Sequence, residues 1–130
     1  MKSFKKDYTI KASKKLVWQA LTDCELIEKW SRGPCEMADS EGFEFSLWGG
    51  QIFGTNTEVQ LEKKLVQDWF AGDWPKPSIV VFDITEKDGK THIAINHTEI
   101  PDNEYDEIKE GWDKYFMHPL TTLVEKLEKQ

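Results

Sequence analysis

Three histidines, two cysteines, six tryptophans and 24 acidic side chains are the residues of this 130-residue chain whose types could do chemistry. His97 shares one strand face with Ile93 and Ile95, while His92 alternates to the other face with Ala94 and Asn96. The two imidazoles therefore point opposite ways and make no metal site. His97 reads as a satisfied core or rim histidine, or else as a polar anchor in a cavity. His118, next to Pro119, has no patterned partner and is given no role. Catalysis would need a nucleophile, a base and an orienting group, or carboxylates in a pocket, brought together from different strands. Asp68, Asp83 and Glu99 are strand acids, and strand acids belong on the solvated face, so no catalytic residue and no enzyme is expected. Gly49-Gly50 with Gly54 falls in a hairpin and does not lead from a strand into a helix, so there is no phosphate loop and no cofactor is implied. Cys24 and Cys35 are separated by ten residues, with no Cys-x-x-Cys pair and no histidine at ligand spacing. They read as two buried or indifferent thiols of a small cytosolic domain.

Trp48, Trp69, Trp74 and Trp112 invite a ligand-stacking reading. Trp69 and Trp112 fall on strand and helix periodicities that place aromatics in a core. Trp74 differs, since it stands between Asp73 and Pro75 in a loop with little core to enter. It is a candidate entrance gate or partner contact.

The elements that must position these residues follow from period and punctuation. Phe4, Tyr8, Ile10 and Ala12 share one alternation, predicting a half-buried strand over 3–12. Ser13 caps a helix carrying Leu16, Val17, Ala20 and Leu21, and Asp23 caps a second with Leu26, Ile27 and Trp30, stopped by Gly33-Pro34. From Cys35 to Ile100 the period is two: Phe43, Phe45 and Leu47; a hairpin at Gly49-Gly50; Glu58 to Leu61; Leu65 to Phe70; Ile79 to Thr85; Thr91 to Glu99. Pro75 and Pro77 make 71–77 a loop or edge, and Asp88-Gly89 marks a tight hairpin. Ile108, Trp112, Phe116, Leu120, Leu123 and Leu127 then predict one long amphipathic helix, kinked near Pro119. Strand, two short helices, antiparallel strands and a covering helix make an α+β helix-grip fold in one domain over 1–130.

Composition narrows the partners. Seventeen basic against 24 acidic residues give a net charge of −7, which argues against nucleic acid and anionic lipid. No continuous apolar h-region opens the chain and no stretch is long enough for a membrane span, so the expected location is cytoplasmic.

Ala12 to Trp30 resembles the first helical segment of the START-like (SRPBCC, birch-pollen-allergen fold) superfamily. Gly50 and Gly54, Leu65-Val66 leading to Trp69, Trp74-Pro75, Gly89 with Thr91, and Gly111-Trp112-Asp113-Lys114-Tyr115 resemble the C-terminal domain of the activator of the heat-shock protein 90 ATPase. The eukaryotic co-chaperone also carries an N-terminal domain, whereas this chain begins at the part resembling the second. The resemblance implies a helix-grip fold and, across the superfamily, cavities for lipids, sterols, polyketides or flavonoid-like molecules.

The favoured expectation is a non-enzymatic domain holding a small apolar ligand between sheet and last helix. Its lining would come from Phe45, Leu47, Trp69, Phe82, Ile95, His97, Trp112 and Phe116. The alternative is a co-chaperone-type domain that contacts a heat-shock protein 90 homologue and modulates its ATPase. A hydrolase or cyclase built on clustered acids with His97 ranks last.

Overall fold

The computed structural model describes residues 1–130. Seven antiparallel strands form one sheet in the order β1-β7-β6-β5-β4-β3-β2: β1 (Lys2–Ile10), β2 (Cys35–Glu36), β3 (Glu44–Leu47), β4 (Ile52–Gln60), β5 (Lys64–Phe70), β6 (Ser78–Lys87) and β7 (Lys90–Ile100). Helices α1 (Lys14–Thr22) and α2 (Cys24–Ser31) follow β1, and α3 (Tyr105–Gly111) and α4 (His118–Glu128) end the chain. This is the expected α+β helix-grip arrangement. Inward alternation is regular in β3, β5, β6 and β7: Phe45 and Leu47, Leu65 and Trp69, Val80, Phe82 and Ile84, and Ile93 and Ile95 are buried against the helices.

Local chemistry sets the boundaries. The Ser13 hydroxyl accepts from the Leu16 N–H at 3.2 Å, and the Asp23 carboxylate from the Glu25 N–H at 3.0 Å, so each short helix begins on the residue that caps it. Arg32 closes α2 in the left-handed conformation at φ 59°. Asp88 and Gly89, at φ 55° and 76°, make the two-residue β6–β7 turn that a right-twisted hairpin prefers. The strand expected at Glu58–Leu61 instead starts at Ile52, because Gly54 and Asn56 carry the ladder through a weakly patterned stretch to a bulge between Asn56 and Glu58. Gly54 faces Trp69 across the ladder, and a Cβ there would run into the backbone carbonyl of Asp68. Gly54→Ala is expected to cost about 2 kcal/mol through forced strand displacement, read as a lower urea midpoint with unchanged m.

The long C-terminal helix is present, and it is irregular next to Pro119, where the sequence predicts a kink. A π-helical segment, Trp112–Met117, joins α3 to α4, and the His118 N–H reaches back to the Asp113 carbonyl. Pro119 has no N–H, and its ring crowds the carbonyl four residues back, which the wider turn just upstream accommodates. One sequence expectation needs correction: Cys24 and Cys35 are not free thiols but form a disulfide. Helix α2 and the turn at Arg32 fold the intervening residues back on themselves, bringing the two Cα atoms to 5.5 Å, inside bridging range. Linear spacing does not reveal that return.

Candidate functional site

His97 sits on β7, fully buried, with its face toward the final helical segment. The Trp112 indole N–H donates to His97 Nδ1 at 3.1 Å. Indole nitrogen only donates, so Nδ1 must accept and the ring is neutral with its proton on Nε2. Nε2–H then donates to Ser78 Oγ at 2.8 Å, and Ser78 donates to the Trp69 carbonyl at 3.2 Å. Burial pushes the imidazole pKa down from 6.5 to about 3. A second chain of bonds starts from the neighbouring ring: Trp69 Nε1 donates to Gln67 Oε1 at 2.8 Å, and Gln67 Nε2 donates to Asn56 Oδ1 at 2.9 Å. Asn56 Nδ2 donates in turn to the Ala38 and Ser40 carbonyls. A polar line thus crosses the apolar interior with its hydrogen bonds satisfied, which specifies one arrangement of the core.

All eight residues expected to line a ligand cavity lie inside, between 0 and 6% exposed. The structure brings most of them into mutual contact. Trp69 and Trp112 stack with centroids 5.0 Å apart, Trp112 and Phe116 lie 4.8 Å apart, and Phe82 meets Trp112 at 5.8 Å and Phe116 at 6.1 Å. These separations are those of aromatic side chains packed on one another. Phe45, Leu47 and Ile95 belong to the same buried cluster. Trp74 is half-buried in the β5–β6 loop, its indole N–H enclosed without a partner. Among the strand acids, Asp83 and Glu99 are exposed, and Asp68 accepts the Thr55 N–H at 2.7 Å. No group of three or more His, Cys, Asp or Glu is placed to hold a metal ion.

Three of the eight, Trp69, Trp112 and Phe116, also floor an open groove of about 720 Å3 between the end of α2, the β3–β4 turn and the π segment. Its walls include Trp30, Trp48, Ile52, Ile108 and Tyr115, and its charged rim is Arg32, Lys114 and Glu107. Trp48 is held there by its indole N–H on the Ser31 carbonyl at 3.3 Å and its backbone N–H on the Pro34 carbonyl at 2.9 Å. Sequence patterning places Trp30 on the apolar face of α2 but does not reach Arg32, Lys114 or Tyr115. Those three are exposed and off the buried phase, so no periodicity marks them. Asp113, beside them on the π segment, accepts from Tyr8 at 2.5 Å and from Lys6 at 2.9 Å, tying the segment to β1. The Tyr8 hydrogen bond first, and Lys6 second, hold its carboxyl below the usual range.

A second surface feature lies on the opposite sheet face. Phe53 and Phe70 pair across β4 and β5 and stack at 5.2 Å, with Phe53 39% exposed. Ile79, opposite Asp68 at the same end of the sheet, is 41% exposed. The loop bearing Trp74 leaves from this end, between Phe70 and Ser78.

The chain matches known proteins over most of its length. The profile of the family described as "Activator of Hsp90 ATPase homolog 1-like protein" matches residues 11–125. The human "Activator of 90 kDa heat shock protein ATPase homolog 1" is 24% identical over 114 residues, covering 86% of this chain and 34% of that protein. The Dictyostelium discoideum homologue is 34% identical over 91 residues, 68% of this chain and 24% of that protein. This chain therefore spans between about a quarter and about a third of the length of these curated relatives. The crystal structure of an HSP90 activator from Plasmodium falciparum superposes with a TM-score of 0.86 at 27% identity, covering 94% of this chain and 95% of that one.

Proposed function

The chain belongs to the activator of Hsp90 ATPase homolog 1-like family, and on that premise we propose that it is a non-enzymatic interaction domain that docks on an Hsp90 homologue and modulates its ATPase. The observation that carries this reading over ligand storage is the interior itself. The rings expected to enclose a ligand between sheet and helix are in contact with one another and bonded through His97, which leaves recognition to the outer surface.

The outward Phe53–Phe70 stack with Ile79 is the surface suited to a protein partner, since paired exposed aromatics and an aliphatic neighbour form a ready apolar anchor. Trp74, from the adjoining loop between Phe70 and Ser78, is the proposed partner contact beside it.

The test is titration of the 15N-labelled domain with the Hsp90 homologue of its own organism, with the chaperone's ATP turnover measured in parallel. Binding is expected to shift the amides around Phe53, Phe70, Trp74 and Ile79. Phe53→Lys combined with Ile79→Lys should weaken the complex roughly tenfold or more while leaving the fold intact. An unchanged spectrum at high micromolar chaperone removes the proposal, and shifts confined to the opposite face remove the assignment of the surface.

A further inference from the structure

The Cys24–Cys35 bridge borders a cavity that shares no residue with the groove floored by Trp69, Trp112 and Phe116. It is open and about 490 Å3 in volume, room enough for a small organic molecule. Three stretches of chain enclose it: α1 with the start of α2, the residues that follow β2, and the β4–β5 turn. Cys24 lines it together with Met37, whereas Cys35 does not. Both cysteines are half-buried, so one end of the bridge borders a space that a thiol can enter while the fold stays intact. The charge around that space is lopsided. Asp23, Asp39 and Glu62 bring three carboxylates against the single ammonium of Lys15. None of these four takes part in the chain's ion pairs, which join Met1 to Asp102, Lys6 to Asp113 and Lys64 to Glu58. The entrance is therefore locally negative, in a protein whose net charge is already −7. Such a field concentrates cations and repels anions.

We infer that Cys24–Cys35 is a thiol–disulfide exchange site, entered through this cavity and attacked at Cys24, whose preferred reductant is a small aminothiol. The thiolate of the aminothiol forms a mixed disulfide with Cys24 Sγ, and the Cys35 thiolate leaves and takes up a proton. A second aminothiol then displaces Cys24 in the same way. Two electrons pass to the chain, which gains two thiols, and the reductant departs as its own disulfide. The ammonium of the reductant is drawn to the three carboxylates, which repel a thiol that carries a carboxylate of its own. Phe53, Phe70, Ile79 and Trp74 take no part in this chemistry, which is independent of any chaperone contact.

The test treats the oxidised chain under native conditions with cysteamine, 2-mercaptoethanol or 3-mercaptopropionate, followed by acid quenching, alkylation and mass spectrometry. Each rate is divided by the rate of the same thiol with the chain unfolded in urea, which cancels differences in thiolate fraction and nucleophilicity. The native rate is expected to rise in proportion to thiol concentration, with the first adduct on Cys24. Tryptic cleavage after Lys29 and Arg32 separates the two cysteines for that assignment. At low salt the normalised rate for cysteamine should exceed that for 3-mercaptopropionate roughly fivefold, with 2-mercaptoethanol between them. Asp39→Asn with Glu62→Gln replaces two carboxylates by amides of the same shape and should bring the three thiols together, a native amide spectrum showing that the fold is kept. A rate that levels off at one value for all three thiols means that the bridge reacts only after unfolding, and overturns the exchange site. A first adduct on Cys35 overturns entry through the cavity. Equal normalised rates in the native chain, or a preference that survives in the double variant, overturn the selection of an aminothiol. Alkylation of both cysteines in the unfolded chain before any thiol is added overturns the site altogether.

Discussion

Acidification from pH 6 to pH 4 is expected to cost this fold about 2 to 3 kcal/mol through His97 alone. The folded imidazole has a pKa near 3 against 6.5 when unfolded. Between those values the unfolded chain binds a proton that the folded chain refuses, so the contribution is complete above 6.5 and is lost as pH falls toward 3. The structural cause is plain. Nδ1 accepts from Trp112, so a second ring proton would put two donors face to face in a site with no water-exposed surface. The measurement is a series of urea transitions for the native chain and for His97→Gln, from pH 7 to pH 4. At pH 7 the variant should be less stable by about 1 to 3 kcal/mol, since Trp112 and Ser78 lose their partner. The gap should then close as pH falls, because only the native chain pays the protonation penalty. Carboxylates titrate in both proteins and cancel in the difference. Parallel stability curves would mean that His97 takes up its proton over the same pH range in the folded and unfolded chains, and the exclusion of the charged ring from the core would fail with them.

That buried line of polar groups also marks where the sequence stops being legible. Strand and helix periods place Trp69, Phe82, Ile95, His97, Trp112 and Phe116 on inward phases, because an inward face must alternate at two in a strand and at three to four in a helix. They do so without revealing whether the inward residues surround a space or fill it. That depends on ring orientation, such as the 19° stacking of Trp69 on Trp112, which is set by hydrogen bonds to residues distant in sequence. Gln67 carried a readable hint: a polar residue between Leu65 and Trp69 on one buried phase needs a buried partner. Which partner it takes, Asn56, becomes clear only once β4 and β5 are in register. The groove is less legible still. Its rim residues come from the end of α2, from α3 and from the π segment, and none of those local geometries has a period of its own.

Reduction of the Cys24–Cys35 bridge is expected to lower stability by about 3 kcal/mol, the entropy returned to an unfolded loop with a sequence separation of 11. The bond joins the first turn of α2 to the two-residue edge strand β2. Between them lies the chain from Ser31 to Pro34, whose carbonyls at Ser31 and Pro34 hold Trp48. Loss of the bond therefore loosens a wall of the groove as well as the edge of the sheet. Two measurements follow from the same geometry. Iodoacetamide applied to the unfolded but unreduced chain should add nothing, and after phosphine treatment it should add two groups. Urea transitions with and without the phosphine, and of Cys24→Ser with Cys35→Ser, should agree with each other and fall below the oxidised chain by the same amount. Agreement between reduced and double-variant proteins separates the loss of the cross-link from any effect of the thiols. Two alkylations without reductant would return the cysteines to the free thiols that their spacing alone suggests, and the reduced and untreated transitions would then coincide.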